Sequence, residues 1–135
     1  MSNIPKYWVR AKKNLSSKDK VMATLIKKYK SPNEKILTTR KDIFFSLCKS
    51  IIGQQISVAA ANSVFLKFKK KCNNRINAKV VSNLSFMQLK SCGLSKQKVK
   101  GIQSLAKQIL DKTFNPRLIS KMSDEEAILY LRIRA

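Results

Sequence analysis

An apolar stripe at helical spacing runs into a polar turn and starts again beyond it, and this restricts the chain more than any other feature. Phe44, Leu47, Cys48, Ile51 and Ile52 fall at i, i+3, i+4, i+7 and i+8, which puts them on one face of an α-helix. Met22, Leu25, Ile26 and Tyr29 repeat the spacing upstream. Val58, Ala61, Phe65 and Phe68 take it up after the turn, and Val99, Ile102, Ala106, Ile109 and Leu110 do so again. A half-buried strand would alternate apolar and polar residues. Ile36-Leu37-Thr38-Thr39 is the only short candidate for one. The expected fold class is all-α, with no sheet.

The punctuation agrees. Ser16 with Asp19 resembles a capping box, and Ser85 with Gln88 and Ser123 with Glu126 are further boxes. Ser57 suits the cap of a helix beginning at Val58. Asn115-Pro116 places a cap before a proline at the first helical position. Gly53 and Gly93 sit where glycines end helices. These signals predict about eight helices, near 4–14, 17–30, 41–52, 58–71, 77–83, 86–91, 96–112 and 124–133, with a turn at 116–121 and an irregular segment at 31–40. Residues 1–135 form one helical domain on this reading. The closing SDEEAILYLRIRA is still gathering Ala127, Ile128 and Leu131 into a helix when it stops, so the domain reads as incomplete. The stripes at 44–52 and 99–110 are then expected to lack part of their cover.

Charge narrows the partner. The chain has 135 residues, with 29 Lys+Arg against 7 Asp+Glu, a net +22. That balance calls for a polyanion, nucleic acid before an anionic membrane surface. Lys67, Lys69, Lys70 and Lys71 close one helix, Lys27, Lys28 and Lys30 another, and Lys96, Lys98 and Lys100 follow Gly93-Leu94-Ser95. Each cluster alone reads as a solvated face; together they suggest a surface that neutralises phosphates. No apolar run reaches a membrane span of about 18 residues. The N-terminal MSNIPKYWVRAKK lacks the core of a signal peptide. The protein is therefore expected in a cytoplasm of bacterial type, at the nucleoid, or wherever the genome is, and not secreted. Cys48, Cys72 and Cys92 are odd in number and unpaired in sequence, and histidine is absent. Reduced thiols follow, and a zinc site or a histidine acid/base does not. The few acids fall mostly at helix starts, where they complement the dipole, and no pair is spaced for acid/base work.

The turn itself is SIIGQQIS, residues 50–57. A plain reading is a capped helix end with polar loop residues. A glutamine, however, is flat, neutral and able both to donate and to accept. Such a side chain can fill the gap left by an extruded base and bond its orphaned partner. A rigid helix-turn-helix frame would hold that probe in place.

YWVRAKKNLSSKDKVMATLIKKY, RKDIFFSLCKSIIGQQISVAAANSVFLKF, KSCGLSKQKVKGIQSLAKQI and MSDEEAILYL occur in one order across nearly the whole chain. Together they resemble the DNA-3-methyladenine glycosylase II branch of the helix-hairpin-helix DNA glycosylases. FxxLxxSIIxQQIS is the most specific block; GLSxxK and SDEEA are weaker. The resemblance implies the N-terminal part of that helical fold. It implies hydrolysis of the N-glycosidic bond of alkylated purines in double-stranded DNA, without metal or cofactor, by a protein that is monomeric at full length. It makes Gln55 the probe of the flipped nucleotide's space, Gln54 its support and Ser57 part of the same loop. It sets Tyr7, Trp8 and Phe44 at aromatic positions near the base pocket, though each equally suits a core. Lys96 and Lys98 are candidate phosphate contacts.

In the family SDEEAxxxL runs on into an LxxIKGIGxWTA-like hairpin and later an aspartate that stabilises the cationic sugar. Here LRIRA follows, Ala135 falls where glycine is expected, and none of the seven acids matches that aspartate. The expectation is that the 135-residue chain binds DNA but does not cut the base free. Two other readings stay open: a non-catalytic basic helical DNA-binding module, and the endonuclease III-like glycosylase branch. QQIS and GLSxxK favour the alkylbase branch over the latter.

Overall fold

In a computed structural model, residues 4–30 and 42–134 are described. They form α1 (Trp8–Lys18), α2 (Lys20–Lys28), α3 (Ile43–Gly53), α4 (Val58–Lys71), α5 (Ala78–Ser82), α6 (Phe86–Lys90), α7 (Lys96–Leu110), a 3-10 helix (Pro116–Lys121) and α8 (Asp124–Arg134). No strand occurs among the described residues, and the short strand candidate at 36–39 lies outside them. The chain divides into two units, Met1–Thr39 and Arg40–Ala135.

The first unit is a pair of packed helices, α1 and α2, neither with a fully buried residue. Its boundaries differ from the sequence reading. Helix α1 begins at Trp8, whose amide donates to the Pro5 carbonyl, and runs on to Lys18. The Ser16–Asp19 box does not form. Asp19 itself caps α2 by accepting from the Met22 amide at 3.0 Å, and Ser16 stays inside α1. Two cap-forming residues stood close together, and the carboxylate, extended at φ −140°, took the position.

The second unit is built around α7, which packs on α3, α5 and α6, while α4 packs on α3 and α6. Its core takes Phe44, Cys48 and Ile52 from α3, Phe68 from α4, Val81 from α5, Leu89 from α6, and Val99, Ile102 and Ala106 from α7. Fully burying one such large side chain is worth about 1.5–3 kcal/mol. The α3 and α7 stripes are covered in part: Phe44, Cys48, Ile52, Val99, Ile102 and Ala106 are buried, Leu47, Ile51 and Ile109 are partly buried, and Leu110 is exposed. Large exposed apolar side chains stand on other helices, Val58 and Leu66 on α4 and Ile128 and Leu129 on α8.

Most caps form as read. Ser57 accepts from the Ala60 amide, Ser85 and Gln88 close a reciprocal box, and so do Ser123 and Glu126. Asn115 accepts from the Arg117 amide at the start of the 3-10 helix. The Asn115 amide also donates to the Tyr130 hydroxyl at 3.0 Å, which ties α8 to the segment after α7. Asp42 precedes α3 rather than opening it, accepting from the Phe45 amide at 3.0 Å.

Candidate nucleic-acid interface

The turn between α3 and α4 contains one left-handed residue, and it is not the glycine. Gly53 is the last residue of α3, Gln54 leaves it extended at φ −63° and ψ 131°, and Gln55 sits at φ 57°. A glycine before the turn suggested the stop, but the backbone reverses two residues later. A Cβ on Gly53 would meet only Ala61 Cβ at 4.0 Å, so crowding does not require glycine there. Holding a non-glycine residue in this region costs about 1–3 kcal/mol. Gln54, Gln55, Ile56 and Ser57 are all exposed. The strained residue therefore presents its side chain to solvent instead of burying it.

The frame beneath is rigid. Ile52 is buried one turn before Gln55, and Phe45 and Phe65 meet edge-on at 5.3 Å between α3 and α4. Ser57 closes the turn as the cap of α4. From α7, the Lys98 ammonium donates to the Ile52 carbonyl at 2.9 Å and to the Gln54 carbonyl at 2.7 Å. These oxygens lie at the C-terminal end of α3, where carbonyls lack helical partners and carry the negative end of the dipole.

The structure thus brings Gln54, Gln55, Ser57 and Lys98 together. Lys96 is exposed at the first position of α7. Phe44 is 6% exposed and belongs to the core; with Asp42, Ile43, Ile109, Pro116 and Arg117 it also lines a cavity of ≈ 410 Å³. That cavity lies at the opposite end of α3, roughly 14 Å of helical rise from Gly53. Tyr7 and Trp8 lie in the first unit, Tyr7 62% exposed and Trp8 partly buried at the start of α1.

Lys67, Lys70 and Lys71 line an open groove with Asn73, Ser91 and Cys92, at the end of α4 away from the turn. The described carboxylates sit at helix ends: Asp19 and Asp42 as caps, Asp111 closing α7, and Asp124, Glu125 and Glu126 opening α8. Burial pushes the Cys48 thiol up to about 12 and the Cys72 thiol up to about 11, and raises Cys92 as well. These are packing groups and not nucleophiles. Among the described residues, no three His, Cys, Asp or Glu side chains stand together as metal ligands, and no helix is long and apolar enough to cross a membrane.

Two features escaped sequence reasoning. The left-handed Gln55 was hidden by the nearby glycine. The clamp by Lys98 joins residues far apart in the chain; GLSxxK singled out the lysine but not its partners.

Comparison with known proteins converges on one group. Residues 48–131 match the family described as HhH-GPD superfamily base excision DNA repair protein. The alkylbase DNA glycosidase-like protein mag2 of Schizosaccharomyces pombe is 31% identical over 121 residues, covering 87% of this chain and 56% of that protein. The crystal structure of a DNA-3-methyladenine glycosidase from Bacillus halodurans shares the fold with a TM-score of 0.67 at 19% identity, covering 91% of this chain and 55% of that one. The chain therefore spans about half the length of these relatives. The matched segment contains the Gln54–Gln55 turn, the Ser57 cap and Lys98. The chain belongs to the HhH-GPD superfamily of base excision DNA repair proteins.

Proposed function

We propose that this chain is the DNA-probing half of an alkylbase DNA glycosylase, whose complete machinery hydrolyses the N-glycosidic bond of alkylated purines such as 3-methyladenine. The observation that carries the reading is the exposed Gln55 at φ 57° on a buried frame. Asn73, Asn74 and Lys112 share the left-handed region, and Gln55 is set apart by its place at the end of the buried α3 stripe and by the Lys98 bonds to the carbonyls beside it. Gln55 enters the duplex and takes the space of the extruded nucleotide, and Gln54 supports it. The net +22 charge holds the phosphates, with Lys96 and the groove of Lys67, Lys70 and Lys71 among the contacts. The partner is double-stranded DNA containing alkylated bases, approached by a monomer wherever the genome lies. Phe44 lies in the core of the second unit and lines the cavity at the start of α3. The described carboxylates, all at helix ends, do not carry the glycosidic step.

The test is binding by the 135-residue chain to two duplexes, one intact and one with a tetrahydrofuran abasic analogue. Wild type should prefer the gapped duplex, because the unstacking cost of a few kcal/mol is already met there. Gln55→Ala should reduce that preference about tenfold while leaving affinity for intact DNA and the melting temperature in place. Equal preference in both proteins would remove Gln55 from the probe role. On methylated DNA the same chain should release no base, and release at a glycosylase-like rate would show that its own acids carry the chemistry.

A further inference from the structure

We infer that Lys98 is a positioning residue for the probe: its ammonium, held on the Ile52 and Gln54 carbonyls, sets the left-handed geometry of Gln55. The inference rests on the reading of Gln55 as the probe and extends it to α7.

The carbonyl of Gln54 and the amide of Gln55 belong to one planar peptide group. Fixing the oxygen at 2.7 Å from Lys98 Nζ fixes that plane, and the plane sets φ at Gln55. The local alternative is weak, since the Gln54 amide reaches the Ile51 carbonyl only at 3.3 Å. A second bond at 2.9 Å, to the Ile52 carbonyl, anchors the ammonium to α3 itself. A positive charge in the first turn of α7 opposes that helix's dipole, and no acid in that turn offsets it. The charge is offset instead across the interface, by the negative end of α3. An ammonium suits this position because it is a compact point charge with rotatable donors. It is partly buried there and holds protein carbonyls, so its effect on DNA passes through Gln55.

Lys98→Met keeps the stem and removes the donors. Tested on the same intact and abasic-analogue duplexes, it should lose the abasic preference about tenfold, as Gln55→Ala does. The double variant Gln55→Ala/Lys98→Met should lose no more than either alone. The slope of log affinity against log salt should be unchanged. A phosphate contact behaves otherwise: affinity for both duplexes falls together, and the slope shrinks by about 0.9. That pattern would overturn the inference. Backbone nitrogen-15 relaxation gives an answer independent of DNA. In Lys98→Met the amides of Gln55 and Ile56 should become mobile while α7 stays ordered, and a turn that keeps its order would also overturn it. If Gln55→Ala retains the abasic preference while Lys98→Met frees the turn, the probe reading fails and the clamp stands. Lys98→Leu, which also lacks donors, carries the same comparison should the methionine variant melt too low to assay.

Discussion

The α3–α4 and α6–α7 turns follow one backbone plan and differ in whether the apolar residue is buried. Each has a left-handed residue, then an apolar residue, then a serine cap: Gln55-Ile56-Ser57 in one and Gly93-Leu94-Ser95 in the other. The caps coincide closely, Ser57 at φ −65° and ψ 157° and Ser95 at φ −66° and ψ 156°, each accepting an amide three residues on at 3.2 Å. A lysine steadies each turn through a carbonyl, Lys98 on Gln54 and Lys90 on Leu94 at 3.3 Å. The contents differ. Leu94 is 2% exposed and Ile56 39%. Gly93 stands where a Cβ would meet Val64 Cγ2 at 3.4 Å, whereas Gln55 faces solvent. The turn that anchors Leu94 in the core uses glycine, the residue that backbone physics prefers at positive φ. The other turn tolerates the strain of a non-glycine residue and keeps Gln55, the proposed probe, in solvent.

The largest way to break this contrast is to remove the apolar residue. Leu94→Ala should destabilise the fold by about 2–5 kcal/mol in urea unfolding, as buried truncations do. Ile56→Ala should stay below about 1 kcal/mol, and equal losses would mean that both turns serve the core. The next effect exchanges the left-handed residues. Gly93→Gln should destabilise by about 1–3 kcal/mol through its positive φ and the contact with Val64. Gln55→Gly should leave stability unchanged or raise it by up to about 1 kcal/mol, while reducing the abasic preference about tenfold, as Gln55→Ala does. A large loss of stability in Gln55→Gly would contradict the strain assigned to that turn.

A smaller effect reads the buried side through pH. Burial holds Cys48 at about 12 and Cys72 at about 11, against an ordinary thiol value of 9.0. Above pH 9 the unfolded chain sheds these protons first, so their contribution, complete below pH 9, falls as pH rises toward the folded values. Between pH 8 and pH 10 wild type should lose about 1–2 kcal/mol more than Cys48→Ala. Lysine titration is common to both proteins and cancels in the difference; parallel pH profiles would remove the thiol contribution.

Sequence patterns reveal local events well and distant ones poorly. The caps at Ser57, Ser85, Asn115 and Ser123 were legible because a side chain and its amide lie within a few residues. The α3 and α7 stripes were legible because helical period alone selects the face. At Ser16 and Asp19 two local signals competed, and only packing decided between them. At Gly53 a strong punctuator marked the helix end, while nothing in the type of Gln55 marked it as the left-handed residue. The functional turn was visible as a pair of odd amides, yet its geometry depends on Lys98, 44 residues from Gln54 in the chain. No window of helical length contains both.

That separation has a consequence for folding order. The clamp closes a loop of more than forty residues, and its entropy is recovered only once α7 has docked on α3. A partly folded chain already carries its positive charge and can coat DNA by electrostatics alone, but it lacks a set turn. On the role proposed for Gln55, probing is a property of the finished second unit. Backbone order at Gln55 and Ile56, read by nitrogen-15 relaxation, should appear in step with the docking of α7 rather than with the formation of α3.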